Sequence, residues 1–339
     1  MSSSPALPTF NEAIARARTS GKPVSVLLGN GASIDYDHDS FSYNSLWEEA
    51  RFRGLTISKS ELADAVGSTD FETVLRRLKR SARLNELYGA DPGLCVQFTA
   101  DARCVQDALA EAVAKLHPDT ALELGDSEVQ ASTAFLGNFD EVFTTNYDLL
   151  LYWATVQGYR ERDLNTTDGF FRLSDGTIGW STEHQQSVHY LHGALHLFVD
   201  SDELEKVVSS RAGNIISQVR RRLRNGQRPL IVTEGSSSDK LERIAENEYL
   251  SHSFAKFGAL NGTLFIHGSS IDKNDDHLFG LLTSKSNCVE TLCVSMRPGS
   301  ANAQRLRERT FDLAQRRKNA GGSQLNIEFY DAASAHLWR

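Results

Sequence analysis

Gly29 to Ser33, in the sequence GNGAS, directly follow the apolar run VSVLL at residues 24 to 28. After a buried strand, glycines let the backbone turn sharply and approach a phosphate closely, and the N–H groups that open the next helix attract anions. The spacing differs from the dinucleotide fingerprint G-x-G-x-x-G, because Ile34 stands where the third glycine would be. A turn that binds no ligand therefore stays open as the alternative.

A second polar group, TTNYD at residues 144 to 148, follows the apolar run at 139 to 144. The carboxyl ends of parallel strands line the ligand crevice of an open sheet, so Thr145, Asn146 and Asp148 are predicted to lie beside the glycine turn. An Asn and an Asp two residues apart can hydrogen-bond ribose hydroxyls or an attacking water. Helix capping is the alternative, since these residue types are also favourable N-caps.

A third candidate, His192, follows the apolar run at 187 to 191 and precedes Gly193. A histidine at the end of a strand is placed to act as a general base or to bind a ribose. A structural histidine with no chemical role is the alternative.

The fourth candidate is the turn Gly268, Ser269 and Ser270, which ends the apolar run at 263 to 267. Hydroxyl and backbone N–H groups at such a turn suit a phosphate or a ribose. Histidines and aspartates flank this turn: His267, Asp272, Asp275, Asp276 and His277. Ordinary helix caps explain the aspartates, and the spacing matches no metal-binding motif, so we expect no metal.

Short apolar runs bounded by turn residues predict the strands that position these groups. They lie at residues 24 to 28, 139 to 144, 187 to 191, 229 to 233, 263 to 267, 289 to 295 and 325 to 330. Most lack polar alternation, which is typical of strands covered on both faces. Segments with helical period, including 202 to 224 and 302 to 318, lie between several of them. This alternation predicts an α/β protein with a doubly wound, mostly parallel, Rossmann-like sheet.

We interpret residues 1 to 339 as a single domain with one insert. Residues 56 to 135 show helical patterns around 71 to 88, 93 to 116 and 126 to 137 and no convincing strand, which predicts a helical insert or subdomain. Residues 158 to 200 contain glycines among aromatic residues and predict an irregular or hairpin excursion that ends in a core strand.

The composition favours a cytoplasmic protein that binds a small molecule or another protein. The formal net charge is -8, from Lys+Arg 36 and Asp+Glu 44, so no global positive field recruits nucleic acid or an anionic membrane. No apolar run is long enough to span a bilayer, and the N-terminus does not resemble a signal peptide. The cysteines have no C-x2-C spacing and are interpreted as reduced thiols; they are Cys95, Cys104, Cys288 and Cys293.

Taken together and in this order, the four motifs resemble the sirtuin-like NAD-binding family, and more closely its bacterial members of uncharacterised or anti-phage defence function. GNGAS resembles the family's G-A-G-x-S turn, and TTNYD resembles its T-Q-N-x-D segment, with Thr145 at the glutamine position. His192 and Gly193 correspond to the family's His-Gly pair, and Gly268 to Ser270 correspond to its late Gly-Ser turn. The sequence differs from the protein-deacylating members of that family in its cysteines. They carry a four-cysteine zinc ribbon, whereas this sequence has no cysteine between Cys104 and Cys288.

The resemblance implies NAD as the substrate and assigns roles by position. Asn146 would orient the attacking water or the nicotinamide ribose, His192 would act as the base, and Asp148 would hold a ribose hydroxyl or the nicotinamide end. The implied binding residues are Gly29, Gly31, Ala32 and Ser33 for the pyrophosphate, Thr145 beside them, and Gly268, Ser269 and Ser270 for the adenosine-side ribose or phosphate.

Without a zinc ribbon, the chemistry that remains is cleavage of the bond between nicotinamide and ribose. We therefore expect an NAD glycohydrolase, as an NAD-depleting effector of bacterial defence that is triggered by oligomerisation or by an activating protein. The alternative is a binding module that senses NAD or an ADP-ribose derivative without catalysis. A zinc-free deacylase or ADP-ribosyltransferase is a third alternative with no dedicated sequence support.

Overall fold

The structure is a computed structural model that describes residues 6 to 160, 164 to 200, 203 to 210, 213 to 233 and 236 to 339. Strands alternate with helices except over residues 30 to 136, where the elements are helices, over residues 170 to 206, where the described elements are strands, and over residues 237 to 258, where two helices follow one another. The strands are β1 Val24–Leu28, β2 Glu141–Thr144, β3 Phe170–Arg172, β4 Ile178–Trp180, β5 Val188–Tyr190, β6 Gly193–Asp200, β7 Glu203–Lys206, β8 Pro229–Ile231, β9 Asn261–His267, β10 Cys288–Met296 and β11 Asn326–Asp331.

The helices pack on both faces of the strands. They are α1 Phe10–Arg18, α2 Asn30–Tyr36, α3 His38–Phe41, α4 Tyr43–Glu49, α5 Lys59–Val66, α6 Phe71–Leu87, α7 Pro92–Leu116, α8 Asp126–Leu136, α9 Leu150–Arg160, α10 Ile215–Arg224, α11 Ser237–Ala245, α12 Glu248–Gly258, α13 Asp276–Leu282 and α14 Ala303–Asn319. Short 3-10 turns occur at Ala121–Glu123, Lys273–Asp275 and Ala332–Ala335. No helix in the described part of the chain is both long and apolar enough to cross a membrane.

The central sheet has six strands in the order β11-β10-β9-β1-β2-β5, and every neighbouring pair is parallel. Its two faces belong to separate apolar clusters, because successive side chains along a strand point to opposite faces. Val26 and Phe265 lie in one cluster, and Leu27 and Ile266 lie in the other. Burial on both faces explains why these strands are continuous apolar runs. The prediction of a doubly wound, mostly parallel α/β fold is confirmed.

One predicted strand belongs to a different sheet. The run at 229 to 233 forms β8, which pairs antiparallel with β6 in a three-stranded sheet of order β7-β6-β8. The chain leaves the central sheet after β5 at Gly193, whose positive φ of 71° turns β6 away.

The predicted helix over 202 to 224 is wrong in its first half. Glu203–Lys206 is strand β7, paired antiparallel with β6, and the helix α10 begins only at Ile215. Asn214 caps this helix by accepting a hydrogen bond from the Ser217 N–H at 2.7 Å. Pairing with a neighbouring strand therefore decides the structure of Glu203–Lys206 against the helical period of the sequence. Residues 202, 211 and 212 of this range lie outside the described residues.

Between residues 56 and 135 the structure has the helices α5 to α8 and one 3-10 turn. Phe71, Leu75 and Val105 from this segment belong to the same apolar cluster as Val26 of β1, so the helices pack onto the sheet. Within residues 158 to 200, apart from 161 to 163, β3 and β4 form an antiparallel hairpin that precedes β5 of the central sheet.

Two glycine turns meet backbone to backbone at the carboxyl ends of β1 and β9. The N–H of Gly29 donates to the His267 carbonyl at 2.9 Å, and the N–H of Gly31 donates to the Gly268 carbonyl at 2.8 Å. A Cβ at Gly29 or Gly31 would lie 2.8 or 2.7 Å from the Gly268 oxygen. Gly268 itself has φ +73°, and a Cβ there would lie 2.4 Å from the Ala32 nitrogen. These positions accept only glycine because no space exists for a side chain.

Gly268→Ala is therefore expected to destabilise the protein more than the same change at Gly321. Gly321 has a similar φ of +78° but nothing within 4 Å of its added Cβ, so it reports only the backbone strain, about 1–2 kcal/mol. The overlap at Gly268 should add roughly 1–3 kcal/mol. Urea unfolding of the two variants measures the difference, and equal free energies of unfolding would contradict the close contact.

Candidate functional site

The four predicted motifs meet at one edge of the central sheet. Leu28 at the end of β1 is in register with His267 of β9 and with Thr144 of β2, so the three turns that follow these strands are neighbours. After β1 the chain runs outward through β2 to β5, whereas from β9 it runs the other way through β10 to β11. The β1–β9 boundary is the switch point of the sheet, where open α/β folds bind ligands.

The backbone of the GNGAS turn is largely bonded within the protein. Besides the N–H groups of Gly29 and Gly31, the Ala32 N–H donates to the Gly29 carbonyl at 2.9 Å. The resemblance implies that these same N–H groups bind a pyrophosphate, but in the structure they are hydrogen-bonded to backbone carbonyls. The glycines serve first to seat this turn against Gly268.

Ser33 links the first motif to the second. Its hydroxyl donates to Asp148 Oδ2 at 2.6 Å and accepts from Asn146 Nδ2 at 2.8 Å. The same Asn146 nitrogen donates to the Gly29 carbonyl at 3.1 Å, and Asp148 Oδ1 accepts from the Leu150 N–H at 2.9 Å. Both carboxylate oxygens of Asp148 are thus engaged, and burial raises its pKa. The motif residue Thr145 lies beside them and bonds the end of β1 through its N–H.

Two buried amide atoms in this region have no hydrogen-bond partner. Because Nδ2 of Asn146 faces Ser33 and Gly29, its Oδ1 is left as an unpaired acceptor. The Nδ2 of Asn30 is an unpaired donor. Both residues line the same cavity, and leaving such atoms unpaired costs about 1–3 kcal/mol each, so a ligand that pairs them gains affinity.

His192 lies in the connection between β5 and β6 and is only 2% exposed. The Val232 N–H donates to the His192 carbonyl at 2.9 Å, which fixes this residue against the strand end of β8. The His192 Nε2 is 2.9 Å from the Nε2 of His277, on α13. Burial, the Lys240 cation and His277 hold the pKa of His192 well below its usual range. The imidazole is consequently neutral at physiological pH.

A buried cation lies next to this histidine pair. Lys240 of α11 is 0% exposed, and its Nζ donates to Glu72 at 2.9 Å and to Asp275 at 2.8 Å. Burial outweighs the neighbouring Lys240 cation and raises the pKa of Glu72 to about 7. The two carboxylates hold Lys240 in its charged form. One carboxylate comes from α6 and the other from the turn before α13, so the ammonium joins three separate parts of the chain.

His192, Asp275 and His277 bring potential metal-ligand atoms within 4.8 Å of one another. Two nitrogens on a tetrahedral zinc at about 2.0–2.1 Å would lie roughly 3.3 Å apart, wider than the 2.9 Å between these imidazoles. Asp275 Oδ1 is also bonded to Lys240. The arrangement fits a hydrogen-bonded pair of imidazoles better than a metal site.

Two adjoining cavities open on either side of the glycine contact. The first, about 400 Å³, is lined by Asn30, Asn146, Asp148 and His192, and its apolar wall includes Phe71, Leu109 and Val113 of the helical segment. The second, about 490 Å³, extends over the ends of β9 and β10. Both are bordered by the same turn residues, which are Gly31, Gly268, Ser269 and Ser270.

Several residues of this site were not predicted as functional from the sequence. Asn30 lies inside the first motif, so its position in the sequence already points to this edge of the sheet. The sequence suggests only a possible metal ligand at His277 and a helix cap at Asp275. His267, the other histidine beside this turn, lies away from the histidine pair and contacts the Tyr330 hydroxyl at 2.9 Å. Glu72 and Lys240 carry no sequence signal, because they are separated by 168 positions and meet only in the folded protein.

The fold and the site define a class, namely a doubly wound α/β protein with a cleft at the switch point of its parallel sheet. The particular family follows from comparison with known families: the chain belongs to DUF4917, described as a domain of unknown function, whose model matches residues 26–338. No curated protein matches the sequence.

The resemblance to the sirtuin-like family is therefore wrong, because the family model that covers nearly the whole chain is DUF4917. The resemblance rested on short turns, and a turn of small and polar residues after a buried strand is what any doubly wound sheet needs at its ligand edge. The geometry of those residues stands independently of that resemblance.

Lys240→Met is expected to destabilise the protein by up to about 3 kcal/mol, because it leaves two carboxylates that are only 20% and 23% exposed without their cation. Adding Glu72→Gln should recover part of this loss, since the double variant has one uncompensated charge fewer. Denaturant unfolding of wild type, both single variants and the double variant gives the coupling energy. Strict additivity of the two changes would show that the ion pair does not form.

Proposed function

We propose that this protein hydrolyses the bond between nicotinamide and ribose in NAD. The observation that carries the proposal is the meeting of Asn146, Asp148 and His192 at the cavity beside the switch point. Hydrolysis of an N-glycosidic bond needs an oriented water, a base and polar groups around the sugar, and it does not need a metal.

The shape of the cleft supports a ligand with two ends. The two cavities adjoin at Gly31 and at the Gly268 to Ser270 turn, so an elongated dinucleotide would cross this contact with one half on each side. The second cavity is lined by Arg297, Arg305 and Arg309, which supply positive charge for phosphates. Arg305 is 3.9 Å from the Asp272 carboxylate, whereas Arg297 and Arg309 are 2.6 and 3.0 Å from theirs. The Arg305 side chain is also 63% exposed, so it is the arginine best able to turn towards a phosphate.

In the first cavity, the unpaired Asn146 Oδ1 suits the role of acceptor for a water O–H or a ribose hydroxyl. Both carboxylate oxygens of Asp148 are engaged within the protein, one of them by the Ser33 hydroxyl. Ser33 in turn accepts from Asn146 Nδ2, so Asp148 helps to orient the Asn146 amide such that Oδ1 faces the ligand. We therefore give Asp148 a positioning role in place of direct contact with ribose. Asn30 Nδ2 is a donor for a carbonyl or phosphate oxygen of the ligand.

The reaction passes through an oxocarbenium-like state as neutral nicotinamide departs from its cationic form in NAD. Water attacks the anomeric carbon and gives up one proton. Neutral His192, at the wall of the same cavity, is the base for that proton. The apolar wall from the helical segment limits the entry of bulk water and strengthens the polar contacts inside.

His192→Ala and Asn146→Ala should each lower the rate of nicotinamide release from NAD by about 100-fold or more, because the first removes the positioned base and the second removes the group that orients the water or the ribose. Chromatography of nicotinamide over time, with and without concentrating the protein to favour oligomers, measures the rate. His184→Ala is the matched control, since His184 is exposed and stacks only on Phe171 at 3.9 Å.

Wild-type rates in both cavity variants would refute the assignment of the site. Thermal stabilisation by NAD without any nicotinamide release would instead identify a binding module that senses the nucleotide. The same proposal includes activation by a protein partner or by a second copy of the chain. It also includes a cytoplasmic location and a role in bacterial defence, which measurements of NAD in the producing cell can test.

A further inference from the structure

His192 reaches the cavity with one ring nitrogen already occupied. Its Nε2 lies 2.9 Å from the Nε2 of His277, which is hydrogen-bonding distance, and the two rings are nearly parallel at 21°. His192 lines the cavity, and with Nε2 engaged its other ring nitrogen, Nδ1, is the one left to receive a proton from a water there. Any role of His192 as a base therefore involves His277.

Two neutral imidazoles that meet through Nε2 atoms share one proton between them, so one ring donates and the other accepts. If His277 donates, His192 carries its own proton on Nδ1 and has no free lone pair. If His192 donates, its Nδ1 is unprotonated and can act as a base. The hydrogen bond thus decides whether His192 is reactive.

The charges around the pair make His277 the stronger base, so His277 is the acceptor and His192 the donor of the shared hydrogen bond. Lys240, from α11, opposes positive charge on both rings. Asp275 Oδ1 lies 3.9 Å from His192 Nε2 and favours positive charge on the pair, whereas the Asn274 carbonyl and the Asp276 carboxylate favour it on His277. Glu72, from α6, accepts a hydrogen bond from Lys240 at 2.9 Å on the side of the pair where this cation lies. The ring of Phe254, from α12, is parallel to the His277 ring with the centroids 6.5 Å apart, and it carries no charge.

From this geometry we infer that His277 is the proton acceptor for His192, a function that rests on the proposed NAD hydrolysis. As the water oxygen bonds to the anomeric carbon, the carbon–nitrogen bond to nicotinamide breaks and its electron pair stays on the nicotinamide ring. The water proton passes to Nδ1 of His192. The proton on His192 Nε2 passes to Nε2 of His277, beside Asp275, and leaves to solvent after product release. His277 acts through His192 and does not touch the substrate.

Substitution of His277 by Gln separates a proton-accepting role from a structural one. The Gln side-chain oxygen can still accept a hydrogen bond from His192 Nε2, but it cannot take the proton. We expect kcat for nicotinamide release to fall about 100-fold in both His277→Gln and His277→Ala, with KM for NAD changed by less than about threefold. The loss should shrink between about pH 7 and about pH 9, because hydroxide can then take the proton. His184→Gln is the control and should keep wild-type kinetics.

The tautomer of His192 gives a readout that needs no activity. In protein labelled with ¹⁵N-histidine, long-range proton–nitrogen correlation should show His192 protonated at Nε2 and unprotonated at Nδ1 in the wild type. The His192→Ala variant assigns that signal. Protonation of His192 at Nδ1 would overturn the inference.

The outcomes distinguish this inference from the proposed function. Nicotinamide release that persists at the wild-type rate in His277→Gln overturns the acceptor role and leaves the hydrolase. Absence of release from the wild type overturns both, even if the tautomer is as expected. One equivalent of zinc in the purified wild type, lost in His277→Gln, would also overturn the acceptor role, because both Nε2 atoms would then be metal ligands.

Discussion

The backbone contact between Gly29, Gly31 and Gly268 is the constraint on which the site depends. It brings the ends of β1 and β9 together at the switch point of the sheet and leaves a cavity on each side. Because the N–H groups here bond to carbonyls of the opposite turn, the turns form a rigid ridge. The side chains of Asn30 and Asn146, whose amide atoms lack partners, are therefore available to recognise a ligand.

A second constraint is the placement of charge. The site places two neutral histidines against a buried ammonium, and the ammonium is held by carboxylates from α6 and from the turn before α13. Burying a charge is tolerated only when it is paired, so Lys240 ties the helical segment to the sheet edge. The same segment supplies the apolar wall of the first cavity. Its position is therefore part of the site and not only an addition to the fold.

Much of the fold could be predicted from the sequence because most central strands are covered on both faces and so are largely apolar runs. The six strands of the central sheet coincide with predicted apolar runs, and the long helices α6, α7 and α14 coincide with segments of helical period. The errors arose where pairing with a distant strand decided the outcome. Glu203–Lys206 has a helical period but joins β6, and β8 reads as a core strand but belongs to the small sheet. The family could not be inferred from short turns, since many doubly wound folds need them.

The sequence by itself determined the class of fold and the polar turns at the ends of β1, β2, β5 and β9, because hydrophobic periodicity and turn residues are local properties. Only the tertiary structure decided how those turns work. It showed that the glycines serve a contact between two turns, that Asp148 is engaged through Ser33, and that His192 meets His277 and lies near Lys240. Hydrogen-bond partners and buried charges depend on which distant residues come together, and residue types and spacing do not contain that information.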